Sequence, residues 1–238
     1  LDKYIPSRES LDKEKCKFSL KDSFVFLTIA NVFSDIKRKN ITGVIDAFKK
    51  AFPIEQKNNV KLIVKLTNFT GEETEEKNIL NKVSTDKRII LITEHYSNQE
   101  IDALYAKANV YISLHRAEGW GLTISDALLR GIPCIYTNYS GNVDFCDKNS
   151  GIPISFELIN VGEDRLRYRA KDIWADPNIE QAADAMKEIC SNFEYFNFRA
   201  SLSRDNLSSK FNPIEVGKII KQRINDIDQK MNELKILS

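Results

Sequence analysis

Apolar residues recur along this chain in two alternating rhythms. Phe24-Val25-Phe26-Leu27-Thr28-Ile29-Ala30 is a nearly continuous apolar run, the pattern of a strand buried on both faces. Val44, Ile45, Ala47, Phe48 and Phe52 then fall at helical spacing, and Pro53 ends that helix. Val60 to Leu66 reads as a second strand, Glu72 to Val83 as a charged helix, and Arg88 to Thr93 as a third strand. Ser97 caps a helix carrying Ile101, Leu104, Tyr105 and Ala108, and Glu100, three residues after the cap, completes a capping box. Strand Val110 to Leu114, helix Leu122 to Arg130 and strand Ile132 to Tyr136 follow, with Gly131 stopping the helix. Strict alternation with short connections predicts a doubly wound α/β domain, a parallel sheet with helices on both faces.

The ends depart from this rhythm. Residues 1–22 are charged and aperiodic and read as a linker or arm, followed by a domain over 23–212. Residues 155–177 read as irregular, with helices at about 178–192 and 197–209. Over 213–238 a long amphipathic helix carries Ile220, Ile224, Ile227, Met231 and Leu234 at alternating four- and three-residue steps. That narrow stripe fits a coiled-coil seam or an amphipathic helix laid across a globular surface.

Charge and cysteine content narrow the function classes. With 35 Lys and Arg against 34 Asp and Glu, the net charge of +1 gives no support for a general nucleic-acid binder. Cys16, Cys134, Cys146 and Cys190 lie far apart, without zinc or redox spacing, which favours a reducing, cytoplasmic compartment. No apolar run approaches the ~20 residues of a membrane span, and no signal peptide is recognised. The chain begins at Leu1, so a preceding segment is expected.

The most informative stretch is Glu118-Gly119-Trp120-Gly121-Leu122-Thr123-Ile124-Ser125-Asp126, where a strand gives way to a helix. Such a junction gathers free backbone N–H groups and the positive helix end, which suits a phosphate. The two carboxylates are poor phosphate partners but good acceptors for sugar hydroxyls. Together they describe a nucleotide-sugar site better than a plain nucleotide site. Asp126, read as lying on the first helical turn, also has a purely structural explanation in the helix dipole. Lys37-Arg38-Lys39, just before the first helix, faces the same edge of the sheet; cations disfavour a helix N-terminus, so either an anionic partner or simple solvation explains them. Thr93-Glu94-His95-Tyr96 and Tyr139-Ser140-Gly141-Asn142 are short loops after strands that would approach a ligand or serve as ordinary turns. His95 and His115 have no second ligand at metal spacing, and Asp226-Ile227-Asp228 is the polar face of the last helix, so no metal site is expected.

Ser113 to Asp126 resembles the acid-x7-acid signature of the family-four (group 1) retaining glycosyltransferases, which have the GT-B fold. Ala127-Leu128-Leu129-Arg130-Gly131-Ile132-Pro133-Cys134-Ile135 matches the family's usual continuation, and Arg38-Lys39-Asn40 with Val44-Ile45-Asp46-Ala47-Phe48 resembles its segment after the first strand. Leu114-His115-Arg116-Ala117-Glu118-Gly119 and Trp174-Ala175-Asp176-Pro177 resemble a bacterial mannosyltransferase-like branch of surface polysaccharide assembly. The resemblance implies a Rossmann-like half of a GT-B enzyme that binds a nucleotide sugar such as a GDP- or UDP-hexose and needs no metal. An N-terminal domain absent from this chain would bind the glycan or glycolipid acceptor, and the terminal helix would pack back on it. A cytoplasmic enzyme is implied, with attachment at the inner membrane face as a variant. Glu118 would lie beside the donor sugar as the catalytic residue. The N–H groups of Gly119, Trp120, Gly121, Leu122 and Thr123 would hold sugar hydroxyls and pyrophosphate. Asp126 would accept from ribose, Lys39 with Arg38 would neutralise phosphate, and Glu94 with His95 would line the base pocket. Two departures stand out: Asp126 replaces the usual Glu, and the usual arginine after the first strand is absent, Asn31-Val32-Phe33-Ser34 standing there. Two alternatives remain open, a non-catalytic assembly domain of the same fold and a GT-B sugar epimerase.

Overall fold

The computed structural model describes Leu20 and residues 23–56 and 59–236. Six strands, β1 (Phe24–Asn31), β2 (Val60–Thr67), β3 (Ile89–Ile92), β4 (Val110–Ser113), β5 (Cys134–Thr137) and β6 (Gly151–Ile154), form one sheet in the order β3-β2-β1-β4-β5-β6. All its pairings are parallel. Parallel neighbours need crossovers, and helices supply them on both faces. On one face α2 (Ile41–Ala51), α3 (Thr74–Ser84) and α6 (Ile179–Ser191) cover Phe26, Ala30, Leu62, Val64 and Ile112. On the other, α4 (Asn98–Lys107), α5 (Leu122–Leu129) and α7 (Phe193–Lys210) cover Val25, Leu27, Ile63, Tyr111 and Cys134. Successive β1 residues thus enter opposite core layers, and the apolar run in the sequence is its direct trace.

The order reverses between β1 and β4. The chain leaving β1 runs to one face and the chain leaving β4 to the other, so a crevice opens at their carboxyl ends. Between β1 and α2 lies one further helical turn, α1 (Ile36–Lys39), absent from the sequence reading. Lys37, Arg38 and Lys39 occupy its last turn, where the helix dipole favours cations, so they do not stand unopposed at the start of α2. The capping box at Ser97 and Glu100 is present.

Two expectations are corrected. Residues 155–177 are not irregular throughout: β7 (Phe156–Asn160) and β8 (Ile173–Pro177) form an antiparallel ribbon, joined by an excursion over Val161–Asp172. Asp126 is the fifth residue of α5, beyond the first turn. In the last helix, α8 (Pro213–Ile236), the stripe residues Ile220, Ile224, Ile227 and Met231 are all exposed, Ile224 at 53%. The arm expected over 1–22 lies outside the described residues except for Leu20, which is buried against the α4–α5 layer.

Phe26, Phe48 and Phe52 pack ring against ring between β1 and α2, with centroids 5.5–6.3 Å apart, and Phe48 is fully buried. Phe48→Ala should destabilise the chain by about 3–5 kcal/mol in urea unfolding, through lost burial plus a residual cavity.

Candidate active site

Glu118 sits just past the end of β4, only 10% of its side chain exposed, at the mouth of the β1/β4 crevice. Lys39 Nζ donates to its Oε1 at 2.5 Å, and Arg38 Nη1 lies 3.3 Å from its Oε2. Both cations come from α1, so the charge cluster bridges the two diverging chain segments.

Local bonds hold α1 in place. Asp35, at a φ of 69°, caps the turn by accepting from the N–H groups of Lys37 and Arg38. Asn40 adopts a left-handed φ of 52°, a conformation asparagine tolerates, and this separates α1 from α2. Its Nδ2 donates to Leu114 O at 2.9 Å, while Arg116 N donates to Arg38 O at 2.8 Å. Arg38 also donates to Ser34 O and Ala117 O.

A second set of bonds fixes the β4–α5 loop against the loop after β5. Glu118 N donates to Ser140 Oγ at 2.8 Å, and Gly141 N to Glu118 O at 3.0 Å. The backbones approach so closely that a Cβ on Gly141 would lie 2.0 Å from Gly119 O, so only glycine fits there. His115, fully buried, ties the same loops from below. Its Nε2 faces two acceptors, Tyr139 O at 3.1 Å and Asn142 Oδ1 at 3.0 Å, so Nε2 carries the proton and Nδ1 accepts from Ser113 Oγ. Burial pushes its pKa below the ordinary value, which keeps the ring neutral. His115 is therefore a structural link, a role its spacing in the sequence did not disclose.

Gly121, at a φ of 91°, turns the chain into α5. None of the backbone N–H groups of Gly119, Trp120, Gly121, Leu122 and Thr123 donates to an acceptor among the described residues. Orphan donors at a helix start favour an anion or hydroxyl groups.

The sequence-derived set divides. Arg38, Glu118 and Gly119 line one cavity of about 410 Å³, and Lys39 is bonded to Glu118 beside it. Trp120 turns its indole away, onto Phe145 and Phe211 at 4.7 and 5.1 Å. Leu122 is exposed, and Thr123 O accepts from Tyr105. Asp126 belongs to a neighbouring network on α4 and α5, where Arg130 lies 4.0 Å from it and 2.6 Å from Asp102. Glu94 and His95 are exposed in the loop after β3, outside the Glu118 cavity.

Three features escaped the sequence reading. Leu166, Arg167 and Tyr168, from the excursion between β7 and β8, form part of the cavity wall. Lys65, only 1% exposed at the end of β2, lies under the Glu94 loop with its Nζ 3.1 Å from Leu66 O and 5.3 Å from the Tyr96 ring centre. Arg116 joins β4 to the ribbon, paired with Asp176 at 2.6 Å and stacked 5.5 Å from the Trp174 ring. The signal for the last was the co-occurrence of Leu114–Gly119 with Trp174–Pro177, which meet in space.

The family model for "Glycosyl transferases group 1" matches residues 12–200 of this chain. The chain belongs to the group 1 glycosyltransferases. Among solved structures, it is similar to Alr3699/HepE from Anabaena, in complex with UDP-glucose, at 15% identity and a TM-score of 0.64, covering 91% of this chain and 56% of that one. Sucrose-phosphate synthase from Thermosynechococcus elongatus gives 16% identity, 88% and 47% coverage and a TM-score of 0.63. WaaG, a glycosyltransferase of lipopolysaccharide biosynthesis, gives 15% identity, 80% and 44% coverage and a TM-score of 0.58. These likenesses establish the GT-B glycosyltransferase domain fold, and the chain spans about half the length of each of these structures. No curated protein sequence matches. Among the described residues, no helix is long and apolar enough to cross a membrane, and no group of three His, Cys, Asp or Glu side chains is placed to hold a metal ion.

Burial alone would raise the Glu118 pKa, but Lys39 and then Arg38 outweigh it and hold the carboxyl below its ordinary 4.5. A depressed folded-state pKa contributes stability that is present above the unfolded value and is lost as pH falls through the folded one. Glu118→Gln should therefore cost about 1.5–3 kcal/mol near neutral pH, the scale of charge-assisted bonds. Urea unfolding across pH should show the gap from wild type closing below about pH 4.

Proposed function

We propose that this chain is the donor-binding half of a retaining glycosyltransferase that moves a hexose from a nucleoside diphosphate sugar to a glycan or glycoconjugate. The observation that carries the reading is the meeting of Glu118, Lys39 and Arg38 with the unengaged amides of Gly119–Thr123 at the β1/β4 switch point. Cations and amides serve the diphosphate, while an ionised carboxylate accepts from sugar hydroxyls.

In the proposed complex Lys39 and Arg38 neutralise charge that grows on the leaving diphosphate as the sugar bond breaks, together with the α5 N-terminus. Glu118, held anionic by the same cations, faces the sugar. Asp126 accepts from ribose, and the Glu94–His95 loop, which follows β3 at the same sheet edge, faces the base. The acceptor is met by a second domain outside this chain, in keeping with its half-length match to solved structures. Uridine diphosphate sugars are the first donors to test, since Alr3699/HepE is in complex with UDP-glucose.

Titration calorimetry with UDP- and GDP-sugars should give saturable binding to the 238-residue chain. No heat at millimolar ligand would instead favour a non-catalytic assembly role. In a longer protein that includes the acceptor domain, Glu118→Ala should lower transfer by about 100-fold or more, the scale of losing one electrostatic group from a transition-state site. Near-normal turnover would remove Glu118 from the chemistry. Release of free nucleotide with an epimerised sugar, and no transfer, would identify the epimerase alternative.

A further inference from the structure

We infer that Arg167, carried by the excursion between β7 and β8, binds the donor diphosphate; this rests on the donor-site reading above. Asn31, Phe33 and Ser34, from the end of β1 and the turn after it, line the same cavity as Glu118 and Arg167. None of the three is cationic. Arg167 is exposed and makes no ion pair or hydrogen bond with the described residues.

The excursion is not a loose loop over the site. Arg165 pairs with Asp35 at 2.9 Å and with Glu163 at 2.5 Å, and Lys37 pairs with Glu163 at 2.8 Å. These bonds tie it to α1, the element that presents Arg38 and Lys39 to Glu118. Asp35 does two jobs, capping α1 and receiving Arg165, so α1 and the excursion are positioned together.

The unpaired cation points to the ligand. Lys37, Arg38, Lys39 and Arg165 are each paired with Glu118, Asp35 or Glu163, whereas Arg167 has no carboxylate partner among the described residues. A nucleoside diphosphate sugar carries one negative charge on each phosphate and would supply that partner. Arg38 is already committed to Ser34 O, Ala117 O and Glu118. The planar fork of Arg167 is uncommitted and suits two-point bonding to phosphate oxygens.

The test is titration calorimetry of the full chain with UDP and with GDP, for wild type, Arg167→Ala, Arg167→Lys and Arg169→Ala. Arg169 is an exposed arginine of the same excursion that does not line the cavity. Arg167→Ala should weaken diphosphate binding by about ten- to a hundred-fold, and Arg167→Lys by less. Arg169→Ala should bind as wild type. An unchanged Kd in Arg167→Ala, with wild-type binding intact, overturns this assignment and leaves the donor site standing. Equal losses in Arg167→Ala and Arg169→Ala also overturn it, by showing only a diffuse charge effect. Absence of wild-type binding to either diphosphate overturns both readings.

Discussion

The ion pairs of Glu118 with Lys39 and Arg38 hold together two pieces of chain that the fold drives apart. After β1 the chain turns to one face of the sheet, and after β4 to the other. A crevice between diverging segments exposes unpaired backbone groups and would admit water freely. Three charged side chains, none more than 15% exposed, close its mouth instead. Burial by itself would raise the pKa of this carboxyl, and Lys39 and Arg38 more than offset that. Such a cluster is weak evidence for stability, because desolvation offsets much of the attraction. Its value is positional, since it fixes where a carboxylate, two cations and five free amides stand relative to one another.

That geometry depends on unusual backbone. Asp35, Asn40 and Ser140 all have positive φ, and each flanks the cluster. Asp35 tolerates the conformation through its local bonds from Lys37 N and Arg38 N, Asn40 through the bond its side chain donates across the crevice to Leu114 O, and Ser140 through its bond from Glu118 N. Glycine at 141 allows two loops to touch backbone to backbone, and neutral His115 links the same loops beneath. Strain concentrated around one crevice, on an otherwise regular α/β frame, is what a pre-positioned binding site requires.

The strands β1 to β5 were legible because burial on both faces leaves an apolar run that needs no knowledge of the partner strand. Their neighbours were not. In β6 the four residues Gly151-Ile-Pro-Ile form an edge strand with a proline, too short and too broken to stand out. The β7–β8 ribbon pairs segments separated by a polar excursion, and only contact in space shows that Trp174 packs with Arg116. The four-residue α1 spans barely one turn, too short for apolar positions to recur at helical spacing. At the site, Glu118 and the basic residues were legible from charge placed at strand ends. Arg167 was hidden, since an arginine in a charged loop looks like any solvated one. Lys65 was hidden by its place in an apolar strand, where a long side chain usually reaches for water. The α8 stripe shows the limit of periodicity: it marks an apolar face but not what covers it, and among the described residues that face is open.

The two acids of the signature are driven in opposite directions by their surroundings. Glu118 is held below its ordinary pKa by Lys39 and Arg38, against burial. Asp126 is raised, because burial outweighs Arg130 and Asp102 adds a like charge. Environments that separate two carboxyl groups assign them different work. On the proposed reading, Glu118 is a fixed negative charge beside a sugar whose positive character grows as its bond to the diphosphate breaks. Asp126 then needs only to accept hydrogen bonds from hydroxyl groups. Its shorter side chain and its sharing of Arg130 with Asp102 fit that lesser task. The pair is therefore asymmetric in surroundings as well as in reach, with the electrostatic demand concentrated on the residue that the α1 cations hold.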